Sequence, residues 1–444
     1  MKSVGIDIGT TSICLVVYDG EKGTVEGSRS AQNAFLPGTF CQDPDRIADA
    51  VMGMLRELER ECGPVCAVGI SAQMHGILYT DAAGRAVSPF YTWKDGSGNL
   101  PFEDATWAEV LSRRTGQRIH PGYGSATHFY LGQTGQIPKE AVFLCNIGDY
   151  VAMRLCDRAV PCQDVSMAAS LGGLLQDKSG YDLKALSEAG VRTEFYPSVC
   201  GGFAPLGTWK GAKVYPAVGD NQASFFAAAG REEAAVSVNV GTGSQVSLFS
   251  SGLAETACGE VRPFPGGGSL YVQASLNGGK VYEKLASFWE EAVFSFTGQR
   301  IDAYEGMRRL GEERQETGLL ADPLLYGSRA REGVQGSISG ITEQDFHPGD
   351  LIRAWVAGMA RELHQLYLEF PESLRQGRKW IVGSGNGIRK NPLLRQEIEK
   401  AFGLPLRLKE IQEEAAAGAA MLAHTFFRYS LGDIPSIRRN TFVK

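Results

Sequence analysis

Two aspartates carry most of the chemistry this sequence could do. Asp7 lies in "GIDIGTTS", residues 5–12, and Asp220 lies in "VGDNQA", residues 218–223. Asp7 is followed by Gly9, Thr10 and Thr11. A glycine lets a ligand approach the main chain, and the N–H and hydroxyl groups of such a turn can hold phosphate oxygens. A carboxylate at its mouth can hold a hydrated Mg²⁺ that neutralises phosphate charge. Asp220 follows the short run Lys213–Val218 and precedes "NQASFFAAAG", a segment rich in small residues. Two compatible roles fit it. It can cap the following helix, a frequent task for Asp. It can also face a ligand as a general base, kept ionised by the helix N-terminus.

The elements that must position these groups are legible in the periodicity. Val4, Ile6 and Ile8 alternate with Gly5 and Asp7, the period of a strand, and "ICLVVYDG" begins a second strand after the Gly-Thr turn. The two make a hairpin. The device recurs from Val236 as "VSVNVGTGSQVSLF", which lies without a gap on "VGIDIGTTSICLVV" from Val4. Ile6 meets Val238, Ile8 meets Val240, Gly9-Thr10 meets Gly241-Thr242, Ser12 meets Ser244 and Asp7 meets Asn239. The repeat predicts two similar domains, each with a phosphate-holding turn, around a phosphorylated ligand in the cleft between them. Only the first turn has the carboxylate, so a metal would lean on the first domain.

A third glycine-rich stretch follows "KWIV". "GSGNGIRKNPLLRQEIEKAF" reads as a loop opening into a helix, with Asn391 as N-cap and Pro392 in its first position. It is neither a Walker A loop, for no GKS or GKT follows, nor GxGxxG, for the sixth position is Ile388. "NGGK" and "GGGSL" add glycine punctuation. "EEAAAGAAMLA" is a helix whose Ala and Gly face lets another element pack closely. Elsewhere strands and helices alternate. "CQDPDRIADAVMGMLRELEREC" is a helix with Asp43 as N-cap, Pro44 in its first turn and Ile47, Val51, Met54, Leu55 and Leu58 on one face. The class is α/β. The domain boundary falls near residues 210–218, giving 1–214 and 215–444, without a long Ser/Pro-rich linker.

Composition narrows the function. The 444 residues allow two or three domains with cores of their own. A net charge of -6 with scattered basic residues argues against a nucleic-acid surface, and the basic C-terminal "SIRRNTFVK" is too short to outweigh it. No apolar run approaches a membrane span, and "MKSVGIDIGT" lacks the apolar core of a leader. The nine cysteines are scattered with no CxxC; Cys62 and Cys66 are the closest pair. They read as small buried hydrophobes in a reduced, cytoplasmic protein.

In this order and spacing the stretches resemble the FGGY carbohydrate kinases, and the resemblance runs over nearly the whole chain. "GIDIGTTS" and "VNVGTGS" are similar to that family's two phosphate motifs, "VGDNQA" to its catalytic-aspartate motif, and "GSGNGIRKNPLLRQ" and "EEAAAGAA" to its adenosine motifs. "SAQMHGI", residues 71–77, resembles the ketose-contacting stretch of xylulokinase-like members. "TWKDG", "PGYGSATHFYL", "VRPF" and "ASLNGG" resemble the sedoheptulokinase branch. One position departs: many relatives carry Arg two residues after the Asp of the W-x-D stretch, where this chain has Ser97. The resemblance implies two actin-like, ribonuclease-H-like α/β domains and ATP-dependent phosphorylation of a sugar's primary hydroxyl. Asp220 would be the base and Asp7 the Mg²⁺ carboxylate. Gly9, Thr10, Thr11, Gly241 and Thr242 would bind phosphates, and Gly385 and Asn391 would lie near the nucleoside. Gln73, Met74, His75, Trp93, Asp95, Tyr123, Asp220 and Asn221 would face the sugar, with His75 donating to a sugar oxygen. Read without the family, His75 is a structural residue and Trp93 a core aromatic. Sedoheptulose is the expected substrate, with xylulose, ribulose or gluconate as alternatives, and a non-catalytic sugar sensor as an alternative of another class. A monomer or homodimer is expected.

Overall fold

The computed structural model describes residues 1–252, 259–314, 316–328, 331, 333–408, 411 and 413–432, so "SIRRNTFVK" lies outside the described residues. The chain forms two compact units. The first takes in residues 1–230 and 263–267 and the described residues from 411 onward; the second takes in the described residues of 231–262 and 268–408.

The first unit is built on a six-stranded sheet. Its strands are β1 (Lys2–Ile8), β2 (Ser12–Asp19), β3 (Thr24–Gln32), β4 (Ala67–Ala72), β5 (Gly207–Trp209) and β6 (Ala212–Gly219), in the order β5-β6-β4-β1-β2-β3. β1 runs antiparallel to β2 and parallel to β4, and β6 runs parallel to β4. The β6–β4 register shifts between Val214 and Ala217, around Pro216, which has no N–H for a ladder bond. α1 (Pro44–Cys62) is capped by Asp43, whose carboxylate accepts from the N–H groups of Asp45 and Arg46. It buries Ile47, Val51, Met54, Leu55 and Leu58 against the sheet, as its spacing predicts. Between β4 and β6 the chain builds a second apolar cluster around Tyr79, Trp107, Phe129 and Leu171. That insertion includes α2 (Gly124–Gln133), α3 (Ile147–Cys156) and α4 (Val165–Leu171).

The second unit repeats the plan. Its sheet has β7 (Ala235–Val240), β8 (Ser244–Ser250), β9 (Glu260–Pro263), β10 (Ser269–Ser275), β11 (Trp380–Ser384) and β12 (Leu406–Leu408), in the order β9-β10-β8-β7-β11-β12. β7 is antiparallel to β8 and parallel to β11, as β1 is to β2 and β4. The duplication seen in two hairpins therefore extends through five strands of each sheet. α6 (Gly279–Thr297), α7 (Pro348–Leu368), α8 (Asn386–Arg389) and α9 (Pro392–Phe402) surround this sheet.

The units do not divide at a single point between residues 214 and 215. α5 (Asp220–Ala229) and α10 (Glu414–Ser430) both pack with the first sheet. Small residues are the cause. A Cβ on Gly5 would lie 1.8 Å from the Ala416 carbonyl oxygen, one on Gly69 2.0 Å from that of Ala419, and one on Gly418 1.8 Å from that of Ala223. The Ala/Gly face of α10 thus seats its main chain on β1, β4 and α5. The cysteines depart from expectation: Cys162 and Cys200, 38 residues apart, form a disulfide across a short parallel strand pair, with Cα atoms 5.7 Å apart. Six other described cysteines are free thiols, of which Cys14 and Cys145 are buried. No described helix is long and apolar enough to cross a membrane.

Candidate active site

Asp7 sits at the end of β1, where its neighbours are set by register. It pairs with Cys14 of β2 and Ser71 of β4, and the Ser71 hydroxyl donates to its Oδ1 at 2.7 Å. Burial pushes its carboxyl up to about 7 against the stabilising Ser71 bond, and the nearby charges of Asp220 and Glu413 push the same way. A carboxyl held up by burial and by neighbouring negative charge is a setting that a cation relieves. The residues present therefore fit a Mg²⁺ ion at Asp7.

The turn after Asp7 is held from behind. The Gly9 carbonyl accepts from the Asn33 amide at 2.8 Å, the Thr10 carbonyl from Gln42 Nε2 at 2.8 Å, and the Thr11 carbonyl from the Asn33 N–H at 2.9 Å. With all three carbonyls engaged and the Gly9 N–H bonded to the Ser12 carbonyl at 2.9 Å, the N–H groups of Thr10 and Thr11 are the ones that could meet an anion. Thr10 is also tied to the candidate sugar residues. Its hydroxyl donates to Gln73 Oε1 at 3.3 Å and accepts from Trp93 Nε1 at 3.0 Å. Trp93 is 45% exposed, so it is a surface residue anchored by its indole N–H and not a core aromatic.

His75 has φ +78°, a left-handed conformation that costs a non-glycine residue about 1–3 kcal/mol and clusters at functional sites. Its turn is pinned on both sides. Asn146 Nδ2 donates to the carbonyls of Gln73 and Gly76 at 3.2 and 3.1 Å. The His75 N–H donates to Ser170 Oγ at 3.1 Å, and the ring stacks on Tyr123 with centroids 4.5 Å apart. His75 Nδ1 lies 2.7 Å from the Ser170 carbonyl oxygen and so donates to it. With Nδ1 donating, Nε2 is an acceptor in the neutral ring and a donor in the protonated one. Met74 is placed differently: it is buried in the main core, where a Cβ on Gly219 would come 2.8 Å from its Sδ.

Asp220 is the first residue of α5, after Gly219, which occupies the cap position. The capping role that its type suggests thus falls to a neighbour. Its Oδ1 accepts from the Asn221 N–H at 2.7 Å, and it stands at the positive end of the helix. Asn221 Oδ1 is enclosed without a hydrogen-bond partner among the described residues. Asp95 accepts from both the N–H and the hydroxyl of Ser97, so the residue that departs from the family pattern closes a local turn on it.

In the second unit Asn239 holds the place of Asp7. Its Nδ2 donates to Ser384 Oγ at 2.8 Å, the counterpart of the Asp7–Ser71 pair on the matching strands. The turn Gly241-Thr242-Gly243 is gripped by the start of α6: the Gly279 N–H donates to the Gly241 carbonyl at 2.7 Å. Gly385, at φ +81°, runs beside the same turn, and a Cβ there would lie 2.5 Å from the Val240 carbonyl oxygen. The expected loop at 383–391 contains a short helix, α8. Asn391 is buried and caps α9 by accepting from the Leu394 N–H at 3.0 Å. Its carbonyl oxygen is thereby committed to the protein, while Gly385 is the residue that approaches the turn.

Sequence reasoning missed Ser71, Asn33, Gln42, Asn146 and Ser170. Ser71 and Ser384 could have been found by laying their strands beside the two hairpins; the others belong to no pattern in the chain.

Comparison with known proteins decides the family. Residues 3–229 match the N-terminal domain of the FGGY family of carbohydrate kinases, and residues 272–425 match its C-terminal domain. The chain belongs to the FGGY family of carbohydrate kinases. As a member it is an ATP-dependent sugar kinase. The sedoheptulokinase of Mus musculus is 28% identical to this FGGY chain, over 95% of this chain and 96% of that protein. The Homo sapiens sedoheptulokinase is 26% identical over the same shares. A xylulose kinase of Streptomyces coelicolor is 23% identical over 95% of this chain and 87% of its own. Among solved structures, a gluconate kinase from Lactobacillus acidophilus superimposes with a TM-score of 0.79 at 20% identity, covering 100% of this chain and 92% of that one. A xylulose kinase from the same organism gives 0.78 at 21%, covering 100% and 93%. The fold is therefore the two-domain, actin-like FGGY fold.

Proposed function

We propose that this kinase transfers the γ-phosphoryl group of ATP to the primary hydroxyl of a seven-carbon ketose, converting sedoheptulose to sedoheptulose 7-phosphate. The observation that carries the reading is at Thr10. The hydroxyl in the middle of the phosphate turn is bonded to both Gln73 and Trp93, residues proposed to face the sugar. A phosphate site and a sugar site that share a side chain suit transfer between them. The seven-carbon choice rests on similarity to proteins named sedoheptulokinase along 95% of the chain.

In this reading Asp220 takes the proton from the attacking hydroxyl, at the end of a helix that favours its charge. His75 hydrogen-bonds a sugar oxygen, and Trp93 offers its exposed face to sugar C–H groups. Tyr123, Asp95, Asn221 and Gln73 complete the sugar side, while Met74 packs beside Gly219. Gly9, Thr10 and Thr11 bind phosphate oxygens in the first unit; Gly241 and Thr242 do so in the second, with Gly385 beside the nucleoside. Asp7 holds Mg²⁺, which when bound neutralises phosphate charge. Most of the catalysis is positioning and charge stabilisation.

The test is a phosphorylation assay with ATP over five- to seven-carbon ketoses and gluconate. Sedoheptulose should give the highest kcat/KM. A clear win for xylulose would reassign the substrate and make Ser97 the first residue to vary. Binding of a sugar with no phosphoryl transfer to any would indicate a sensor.

A further inference from the structure

Gln42 stands outside every motif, yet it touches both halves of the first-unit site. It is fully buried in the two-residue strand Cys41–Gln42, which pairs with Phe90–Tyr91. Its Nε2 donates to the Thr10 carbonyl at 2.8 Å and its Oε1 accepts from Gln73 Nε2 at 2.8 Å. Gln73 Oε1 in turn accepts from the Thr10 hydroxyl at 3.3 Å. The three residues close a ring of hydrogen bonds. A primary amide suits this place because it donates and accepts at once.

We propose that Gln42 is a positioning residue that couples the two substrates, so that ketose bound at Gln73 and Trp93 steadies the phosphate turn and nucleotide bound at the turn steadies Gln73. The inference rests on the sugar and phosphate roles proposed above. Gln42 and Gln73 are buried and Thr10 is half-buried, and a hydrogen-bond network with a buried side shifts as a unit because each lost partner leaves a costly unsatisfied group. Asn33 supplies the contrast. It holds the Gly9 and Thr11 carbonyls of the same turn and forms no part of the ring. Asn33 therefore supports nucleotide binding alone, whereas Gln42 links nucleotide to sugar. Coupling of this kind is reciprocal: each ligand tightens the other by the same factor.

The experiment is calorimetric titration of the full chain with sedoheptulose, with and without saturating ADP and Mg²⁺, beside a melting curve for each variant. Wild type should bind the ketose about 5–20-fold more tightly with ADP present, within the usual range of such couplings. Gln42→Met, similar in volume without the amide, should bring that factor to about 1–2. Gln42→Glu keeps an acceptor for Gln73 but its carboxylate cannot donate to Thr10, and should lower the factor too; it serves if the Met variant does not fold. Asn33→Ala should weaken ADP binding and keep the factor. A Gln42 variant that melts like wild type and keeps full coupling overturns the proposal. So does a wild type that phosphorylates the ketose but binds the two ligands independently, an outcome that leaves the proposed function standing. A chain that neither binds nor phosphorylates any ketose removes the proposed function and this inference with it.

Discussion

The two Gly-Thr turns have the same register and opposite supports. Behind Gly9–Thr11 stand mainly side chains: the Asn33 and Gln42 amides hold the Gly9 and Thr10 carbonyls, beside one main-chain bond from the Asn33 N–H to Thr11. Behind Gly241–Gly243 stands main chain, the Gly278–Gly279 start of α6, packed so closely that a Cβ on Gly278 would lie 2.2 Å from the Gly243 carbonyl oxygen. At the mouths the contrast is one of charge. The first has Asp7, with Asp220 and Glu413 near enough to raise its carboxyl; the second has Asn239 on Ser384. A turn held by side chains can be wired to other residues and carry chemistry. A turn held by main chain is a fixed cradle. In the function proposed above, the duplicated device divides into a reacting copy and a holding copy.

The largest effect should come from the charge beside the first turn. Asp220→Asn keeps shape and removes proton acceptance. Because Gly219 holds the cap position, the helix loses no cap and the melting point should stay within about 2 °C of wild type. The turnover number should fall roughly 10²–10⁴-fold with little change in ketose KM, the pattern of a lost transition-state interaction. Steady-state kinetics showing near-normal kcat would send the search for the base elsewhere.

Next in size is an exchange between copies. Asp7→Asn gives the first turn the amide that the second has. Turnover should drop about 10²-fold, with a weakened response to Mg²⁺ concentration, since the charge that holds the ion is gone. The reciprocal Asn239→Asp should change kcat by less than about 5-fold, because it adds a charge where the holding copy needs none. Equal losses in the two variants, measured across a Mg²⁺ titration, would break the division of labour.

A smaller effect tests the cradle itself. Gly278→Ala drives a methyl group into the Gly243 carbonyl and should move the second turn. The KM for ATP should rise about 10-fold while that for ketose stays within about 2-fold of wild type. Gly9→Ala meets its nearest non-adjacent atom, the Ser12 carbonyl oxygen, at 3.0 Å and should cost less. Reversal of that order would mean the side-chain-held turn is the stiffer one.

Much of this division could be read from the sequence because its signals are local. Alternation over Val4–Ile8 and Val236–Val240, glycines directly after, and a gap-free match between hairpins predicted both turns and the Asp7/Asn239 difference. Asp43 and Pro44 fixed the start of α1 for the same reason. What stayed hidden depends on distant contacts. Ser71 meets Asp7 only once β4 lies parallel to β1, and Gln42 meets Thr10 across 32 positions. α10 returns to the first sheet through small residues whose destination no periodicity specifies. Trp93 is an aromatic of the kind that fills cores, yet it is exposed with its indole N–H bonded to Thr10.

The finest distinction between side-chain and main-chain support is that only the former can titrate. Asn146, which holds the strained His75 turn, is itself oriented by Asp149: its N–H donates to Asp149 Oδ2 at 3.1 Å, and Gln163 Nε2 donates to the same oxygen. Burial pushes the Asp149 carboxyl up to about 7; the Gln163 and Asn146 bonds oppose that rise, and the charge of Asp164 adds to it. In the unfolded chain the same group titrates near its ordinary value of 3.8. Between these pH values the folded state holds a proton that the unfolded state has lost, so stability falls as pH rises. The contribution is full below about 4 and gone above about 7. Asp149→Asn fixes a neutral group and should flatten this part of the curve. The difference in melting temperature between pH 5 and pH 8 should shrink by about 2–4 °C relative to wild type, measured in one buffer series at constant ionic strength. Other groups that titrate in this range, Asp7 among them, are common to both proteins and cancel in the comparison. Parallel curves for the two proteins would mean that Asp149 is ionised throughout, and that the His75 turn rests on a charge and not on a buried proton.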